Sequence, residues 1–239
     1  MKKLLTLLIS FAAFTAAAQV DSYRLQVQDF TKLKVTDDIN VEYYCSADSA
    51  GLAFYTCEQS MSSRLIFSNK KGTLTIQLDN GDLTLTDVPV IRVYSSQLQE
   101  VENHGDSTVV VQTNLPQAKF KARVVGNGTV VVRHIEATEL DAGISTGNGH
   151  VVIASGEVVR AKFSNVGKGT VEAGGLIARE VKVSCMGTGS IDCRPVQKLT
   201  IYGVGSGKVY YVGNPESVSN RSIGGKAEKV YGSTCFNIC

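Results

Sequence analysis

Glu172 and Asp192 each stand three residues after the second glycine of a Gly-x-Gly triplet, and they are twenty residues apart. If the chain repeats at that spacing, the two carboxylates point outward from neighbouring strands. Their separation would be about 5 Å, near that of the acid and nucleophile of a retaining glycosidase. The equivalent positions elsewhere read Val110, Val131, Val152 and Tyr210. No third acid, histidine or arginine extends the ladder, and two outward acids on a solvated face are ordinary. His104, His134 and His150 fall at different phases of the repeat and cannot stack into one ladder. Calcium-binding β-rolls need acids in their turns, but the residue after each triplet reads Thr108, Thr129, His150, Thr170, Ser190 and Lys208. No Cys-x-x-Cys or Cys/His cluster suggests zinc, and no nucleophile elbow is visible. No catalytic residue, cofactor or metal is therefore expected. Tyrosines are more suggestive, because an exposed ring meets carbohydrate or protein at little entropic cost. Tyr202, Tyr210 and Tyr211 gather near the end of the repeats, and Tyr43, Tyr44 and Tyr55 near the start. The first three are the candidate binding residues for a glycan or protein ligand at the cell surface.

What must position these residues is the repeat itself. Gly126-Asn127-Gly128, Gly147-Asn148-Gly149, Gly167-Lys168-Gly169, Gly187-Thr188-Gly189 and Gly205-Ser206-Gly207 start 21, 20, 20 and 18 residues apart. Gly105-Asp106-Ser107 is a decayed copy 21 residues before the first. A fixed period of this size marks a solenoid, whose coils bury their apolar faces by stacking on one another. Two residues after each triplet stand Val109, Val130, Val151, Val171, Ile191 and Val209; two further on stand Val111, Val132, Ile153, Ala173, Cys193 and Tyr211. Six residues before the second glycine stand Val101, Ala122, Gly143, Phe163, Val183 and Ile201. Side chains two apart on a strand share a face, so these three columns should point inward. The glycines are read as sharp turns that need positive φ. No long 3.6-residue amphipathic pattern follows the N-terminus, which excludes an α/β fold. Residues 29–100 alternate apolar and polar less regularly. The expected fold is all-β, a single-domain parallel β-solenoid with coils of about 20 residues and an irregular β N-terminal part. After Pro215 the pattern fades, and residues 216–231 are expected to close the stack.

Residues 1–18 read as an export signal: Lys2 and Lys3, an apolar stretch from Leu4 to Phe14, then Ala16-Ala17-Ala18. Cleavage is expected before Gln19, leaving a domain over 19–231 and a tail over 232–239. The whole chain has 24 Lys and Arg against 22 Asp and Glu; losing Lys2 and Lys3 leaves 22 of each. A neutral balance gives no global attraction to nucleic acid or anionic membrane, and no segment after the signal is long and apolar enough to span a bilayer. Six cysteines in an exported chain suggest an oxidising compartment. Local spacing favours the pairs Cys45–Cys57, Cys185–Cys193 and Cys235–Cys239 among fifteen connectivities; the alternative is that several are small buried apolar residues.

Phe30-x-x-Leu33-x-Val35, then Ile39-Asn40-Val41, then the reiterated triplets ending in Val209-Tyr210-Tyr211-x-Gly213-Asn214-Pro215, resemble the auto-transporter adhesin head family, or GIN domain. Ser222-Ile-Gly-Gly-Lys226 resembles that family's end. The resemblance covers about residues 29–231. It implies a secreted or surface-exposed β-solenoid of a Bacteroidetes-type bacterium, acting in the periplasm, at the outer-membrane surface or outside the cell, and it brings no catalytic residues with it. The chain departs from the family in one respect: aspartate is frequent there after the second glycine, and here it is absent. The expected function is a non-catalytic binding or adhesion module. Alternatives are a polysaccharide-active enzyme using Glu172 and Asp192, and a structural envelope component.

Overall fold

Valine, isoleucine and leucine at alternate positions build this fold, because branched side chains suit a pleated, half-buried surface. The computed structural model describes residues 20–79 and 88–231. The expected leader 1–18 and the tail 232–239, with Cys235 and Cys239, lie outside the described residues. In chain order the elements are β1 (Val20–Gln26), β2 (Lys32–Val35), β3 (Val41–Cys45), β4 (Leu52–Glu58), α1 (Gln59–Ser62), β5 (Leu65–Lys70), β6 (Thr73–Leu78), β7 (Ile91–Ser95), β8 (Glu100–Asn103) and β9 (Thr108–Val111). They continue as β10 (Gln117–Val125), β11 (Thr129–Val132), β12 (Ile135–Thr146), β13 (His150–Ile153), β14 (Gly156–Gly167), β15 (Thr170–Gly187), β16 (Ser190–Val204), β17 (Lys208–Val212), β18 (Ser217–Ile223) and β19 (Lys226–Val230).

The chain is a single-domain β-solenoid of about seven turns. Its broad face is the parallel stack β6-β2-β8-β10-β12-β14-β15-β16-β18. A second face is the parallel stack β7-β3-β9-β11-β13-β15-β16-β17-β19. A short third side joins them, where Ile135, Gly156 and Leu176 lie in register. Strands β15 and β16 are long because they run through these corners, with their mutual pairing interrupted between Ala173 and Ile177 and between Ala178 and Glu180. The N-terminal part is more regular than its sequence suggests. Strands β2, β3, β6 and β7 belong to the two parallel stacks, and among the described residues only β1–β4, β4–β7 and β5–β6 pair antiparallel.

The core is a set of vertical ladders. Val41, Val109, Val130, Val151, Val171, Ile191 and Val209 are all buried on the second face. Each such side chain, fully buried, contributes about 1.5–3 kcal/mol relative to exposure. On the broad face the ladder reads Val101, Ala122, Ala142, Phe163, Val183, Ile201. Phe163 fits because Ala142 and Ala161 beside it are small. Sequence spacing puts Gly143 in this ladder; the structure puts Ala142 there. The register slips further along the strand, after Val124, so β12 carries one extra residue, Ser145, between this ladder and its glycine corner. Gly143 faces outward, between Arg123 and Ser164.

The two glycines of a triplet do different work. The first takes φ of +119°, +93°, +126°, +128° and +119° at Gly126, Gly147, Gly167, Gly187 and Gly205. The second has no such φ; it is small because the coils touch. A Cβ on Gly189 would lie 2.3 Å from the Gly169 carbonyl oxygen and 2.3 Å from Asn165 Nδ2. Asn103 and Asn165 are fully buried and brace these corners. Asn103 donates to the Ser107 and Thr129 carbonyls, and Asn165 to those of Gly169 and Ser190.

The solenoid also has a coil that the sequence pattern hides. Strands β18 and β19 stack on β16 and β17, with Gly224 (φ +85°) over Gly205. This final coil carries Gly-Gly instead of Gly-x-Gly. Its ladder positions include Asn220 and Lys229, polar residues suited to an exposed end.

Candidate functional site

On the broad face, outward residues form three horizontal rows across the coils. The first reads Lys119, Glu139, Arg160, Glu180, Lys198 from β10 to β16. Its charges alternate, and Arg160 reaches Glu139 at 2.6 Å. The second reads Lys121, Asp141, Lys162, Lys182, Thr200. Here alternation fails. Lys121 is satisfied by Glu100 and, at 3.0 Å, by Glu102. Glu102 is held down at about 2: burial opposes its charge, but hydrogen bonds from Lys121 and His104 prevail. Asp141 is taken by Arg123 at 2.5 Å. Lys162 and Lys182, both exposed and adjacent in register, have no carboxylate within ion-pair distance among the described residues. Like charges directly opposite one another are destabilising, so this pair is a cost that the fold does not require.

The third row reads Arg123, Gly143, Ser164, Ser184, Tyr202, Arg221. With no side chain on Gly143, Arg123 passes over it to bond the Ser164 hydroxyl. Lys182 Nζ lies 5.0 Å from the Tyr202 ring centroid and Arg221 Cζ 6.0 Å from it. An exposed cation over a ring is worth about 0.5–1 kcal/mol. These rows enclose an open groove of about 400 Å³. Lys119, Arg160, Lys162, Lys182 and Lys198 line it against Glu139, Asp141 and Glu180, with Thr200 and Tyr202 at one end. Cations exceed acids even before the flanking Arg123 and Arg221 are considered.

The second face of the same coils carries the carboxylate pair. Glu172 and Asp192 are in direct register on β15 and β16, followed by Tyr210 on β17. Burial and the charge of Glu172 push Asp192 up to about 6. His150 joins them, contrary to the expectation that no histidine would. Its Nε2 stands 2.9 Å from Glu172 Oε1, within ion-pair reach but off the line of a hydrogen bond, and that nitrogen is buried without a bonding partner. The signal was present in the sequence: His150 is in register with Thr170, two residues before Glu172, a diagonal neighbour on a parallel ladder. Among the described residues, no group of three His, Cys, Asp or Glu side chains could hold a metal ion.

The family model described as "Putative auto-transporter adhesin, head GIN domain" matches residues 29–215. The chain belongs to this family. No curated protein matches it. Solved structures share the GIN-domain fold. A putative adhesin from Bacteroides fragilis is 21% identical with a TM-score of 0.77, over 90% of this chain and 98% of that one. A putative adhesin from Parabacteroides merdae is 20% identical with a TM-score of 0.74, over 89% and 97%. A putative lipid binding protein from Parabacteroides distasonis is 23% identical with a TM-score of 0.72, over 89% and 97%. The family match stops at residue 215, one coil short of the last strands.

The candidate tyrosines of this GIN-domain chain do not converge. Tyr202 lies in the groove. Tyr210 and Tyr211 lie on β17 of the second face, and Tyr211 packs partly on the core. Tyr43 and Tyr55 are buried. Tyr44 stacks on Tyr94 at 5.4 Å, with Phe54 edge-on to Tyr94 at 5.6 Å, a cluster assembled by the pairing of β7 with both β3 and β4. The expected pairs Cys45–Cys57 and Cys185–Cys193 are not formed; all four are free thiols. Strand β7 pairs with both β3 and β4 and so keeps Cys45 from Cys57. Cys185 is in register with Asn165 on the broad face, whereas Cys193 is in register with Ala173 on the second. Cys193 is fully buried, as a small apolar residue would be. Among the described residues no helix is long and apolar enough to cross a membrane.

Proposed function

We propose that this chain is an exported, non-catalytic binding module that holds a polymeric glycan in the broad-face groove, with Tyr202 as its aromatic contact. In this reading residues 1–18 are a leader removed before Gln19, residues 19–231 are the binding domain, 232–239 are a tail, and the protein works at or beyond the cell envelope. The observation that carries it is the groove over Lys162, Lys182 and Tyr202, where two lysines stand in register without an ion-pair partner among the described residues and cations outnumber acids. The apolar residues beneath it, Leu140, Ala161 and Val181, are buried in the core. The walls therefore offer charge, hydroxyl groups and one ring. That lining suits a hydrated polymer better than an acyl chain, and separates this chain from the lipid-binding description of the Parabacteroides distasonis neighbour. Tyr210 and Tyr211, on another side, are outside this contact. The test is a glycan array with the full mature chain and its Tyr202→Ala variant. Binding to at least one polymeric glycan, weakened about tenfold by the variant, is expected; a blank array, or binding indifferent to Tyr202, overturns the reading.

A second reading rests on Asp192, whose raised pKa beside Glu172 is the pattern of an acid–base pair. The groove over Lys162, Lys182 and Tyr202 lies on the other face and gives this pair no support. Release of sugar products, abolished by Glu172→Gln or Asp192→Asn, would establish it instead.

A further inference from the structure

We infer that the groove selects acidic polysaccharides, and that Lys162 and Lys182 recognise successive carboxylate or sulfate groups along one chain laid across the coils. The inference deepens the binding reading above and rests on it.

The argument begins with what the two rows do with their charges. In the first row each cation is in register with an acid, and Arg160 is ion-paired with Glu139. In the second row the acids are already engaged: Asp141, in register with Lys162, is held by Arg123, and Glu102, beyond Lys121 at the far end, is held by Lys121 and His104. Glu139 feels the charge of Lys162 but is bonded by Arg160, and among the described residues no carboxylate forms an ion pair with Lys162 or Lys182. Adjacent parallel strands put their ammonium groups about one strand spacing apart, about 4.8 Å, where they repel. A ligand that brings one negative charge to each of them removes that repulsion and gains two charge-assisted contacts. The anion must be repeated, because the cations are on successive coils. It must be carried on a chain rather than a compact ion, because the groove continues past Lys182 to Thr200 and Tyr202, with Arg221 on the next strand.

The remaining lining chooses sugar over other polyanions. Thr200 presents a hydroxyl in the groove, Ser184 lies in the row beside the lysines, and the Tyr202 ring stands at the end of that row with Lys182 and Arg221 near it. Hydroxyls and one aromatic face suit pyranose rings bearing acidic groups. A nucleic acid strand would call for several stacking rings, and the groove supplies one. An anionic bilayer would call for a basic patch with exposed apolar side chains to enter it, and the apolar groove residues are buried.

The test is affinity electrophoresis of the full mature chain through gels containing polygalacturonate, heparin, dextran, single-stranded DNA or no polymer, with sedimentation on phosphatidylglycerol vesicles alongside. Retardation by polygalacturonate or heparin, weakening as salt is added, is expected, with none by dextran. Lys162→Gln/Lys182→Gln is expected to weaken it at least about tenfold, and Lys168→Gln, a cation at a corner away from the groove, to leave it unchanged. Both lysines are exposed, so folding of the double variant is checked by its unfolding midpoint. The single Lys182→Gln variant provides the same readout if the double variant unfolds. Equal retardation by dextran that still depends on Tyr202 would overturn the acidic specificity while leaving the glycan-binding reading intact. Preference for DNA or vesicles, or acidic retardation unmoved by the lysine variants, would overturn the inference itself. Polygalacturonate without heparin binding assigns the carboxylate form, and the reverse assigns the sulfate form.

Discussion

Two faces of the same coils carry opposite chemistry on the same backbone. Across β14, β15 and β16 the broad face presents Lys162, Lys182 and Tyr202; across β13, β15 and β16 the second presents His150, Glu172 and Asp192. Strand spacing and the parallel ladder are common to both. In each, two like charges sit in register, and each meets the problem differently. The lysines stay exposed, in water, where repulsion is screened. The acids are partly buried, and Asp192 responds by holding its proton to about 6. Burial thus decides whether a like-charged ladder remains a charged surface or becomes a titrating one.

The corner that joins the faces can be broken first. Gly187 has φ +128°, and a Cβ there would lie 2.3 Å from the Gly167 carbonyl oxygen, a backbone atom that cannot move aside. Gly187→Ala should destabilise the protein by about 3 kcal/mol, disturbing both faces together. Gly174→Ala, with nothing within 4 Å of its Cβ, should leave the denaturant midpoint nearly unchanged.

The comparison is sharpened next at Asp192. Its carboxyl rises from 3.8 to about 6 on folding, so the folded state keeps a proton that the unfolded state has lost. Stability is full below pH 3.8, falls as pH rises through that window, and the loss is complete above about 6. Asp192→Asn should therefore stabilise the protein by about 1–2 kcal/mol near neutral pH and hardly at all in acid. Unfolding midpoints measured across that range check the sign. The smallest effect is expected on the exposed face. Lys162→Gln removes the like charge opposite Lys182 without setting a second acid beside Asp141, and should raise stability by about 0.2–1 kcal/mol, an increase that added salt abolishes. An unchanged or lowered midpoint would show that the lysine pair carries no repulsion.

The period of the glycines and the inward valines could be read directly from the chain, because each coil repeats one structural decision. What escaped that reading lies where a coil departs from its neighbours. The extra residue Ser145 in β12 leaves Ala142 rather than Gly143 on the inward ladder, since one added residue exchanges the faces of a strand. The last coil was obscured because Gly224-Gly225 lacks a middle residue and its ladder includes Asn220 and Lys229. His150 was set aside because it does not stack with His104 and His134, although a diagonal acid was within reach. The cysteine pairs failed for a related reason: nearness in sequence is not nearness across a ladder, and β7 comes between β3 and β4. The groove was the least legible part. It depends on which acids are already occupied by Arg123, Lys121 and Arg160, and that is a matter of side-chain reach.

The stacked glycine corners have a consequence for selectivity. Gly147, Gly167, Gly187 and Gly205 each sit so close to the coil before that a Cβ would meet its backbone oxygen at 2.3–2.4 Å. Successive coils are thereby locked at a fixed pitch, and the outward side chains become the marks of a ruler. A polymer whose repeat is commensurate with that ruler gains a contact at every mark, while one with a different repeat falls out of step after a few units, however well its first unit fits.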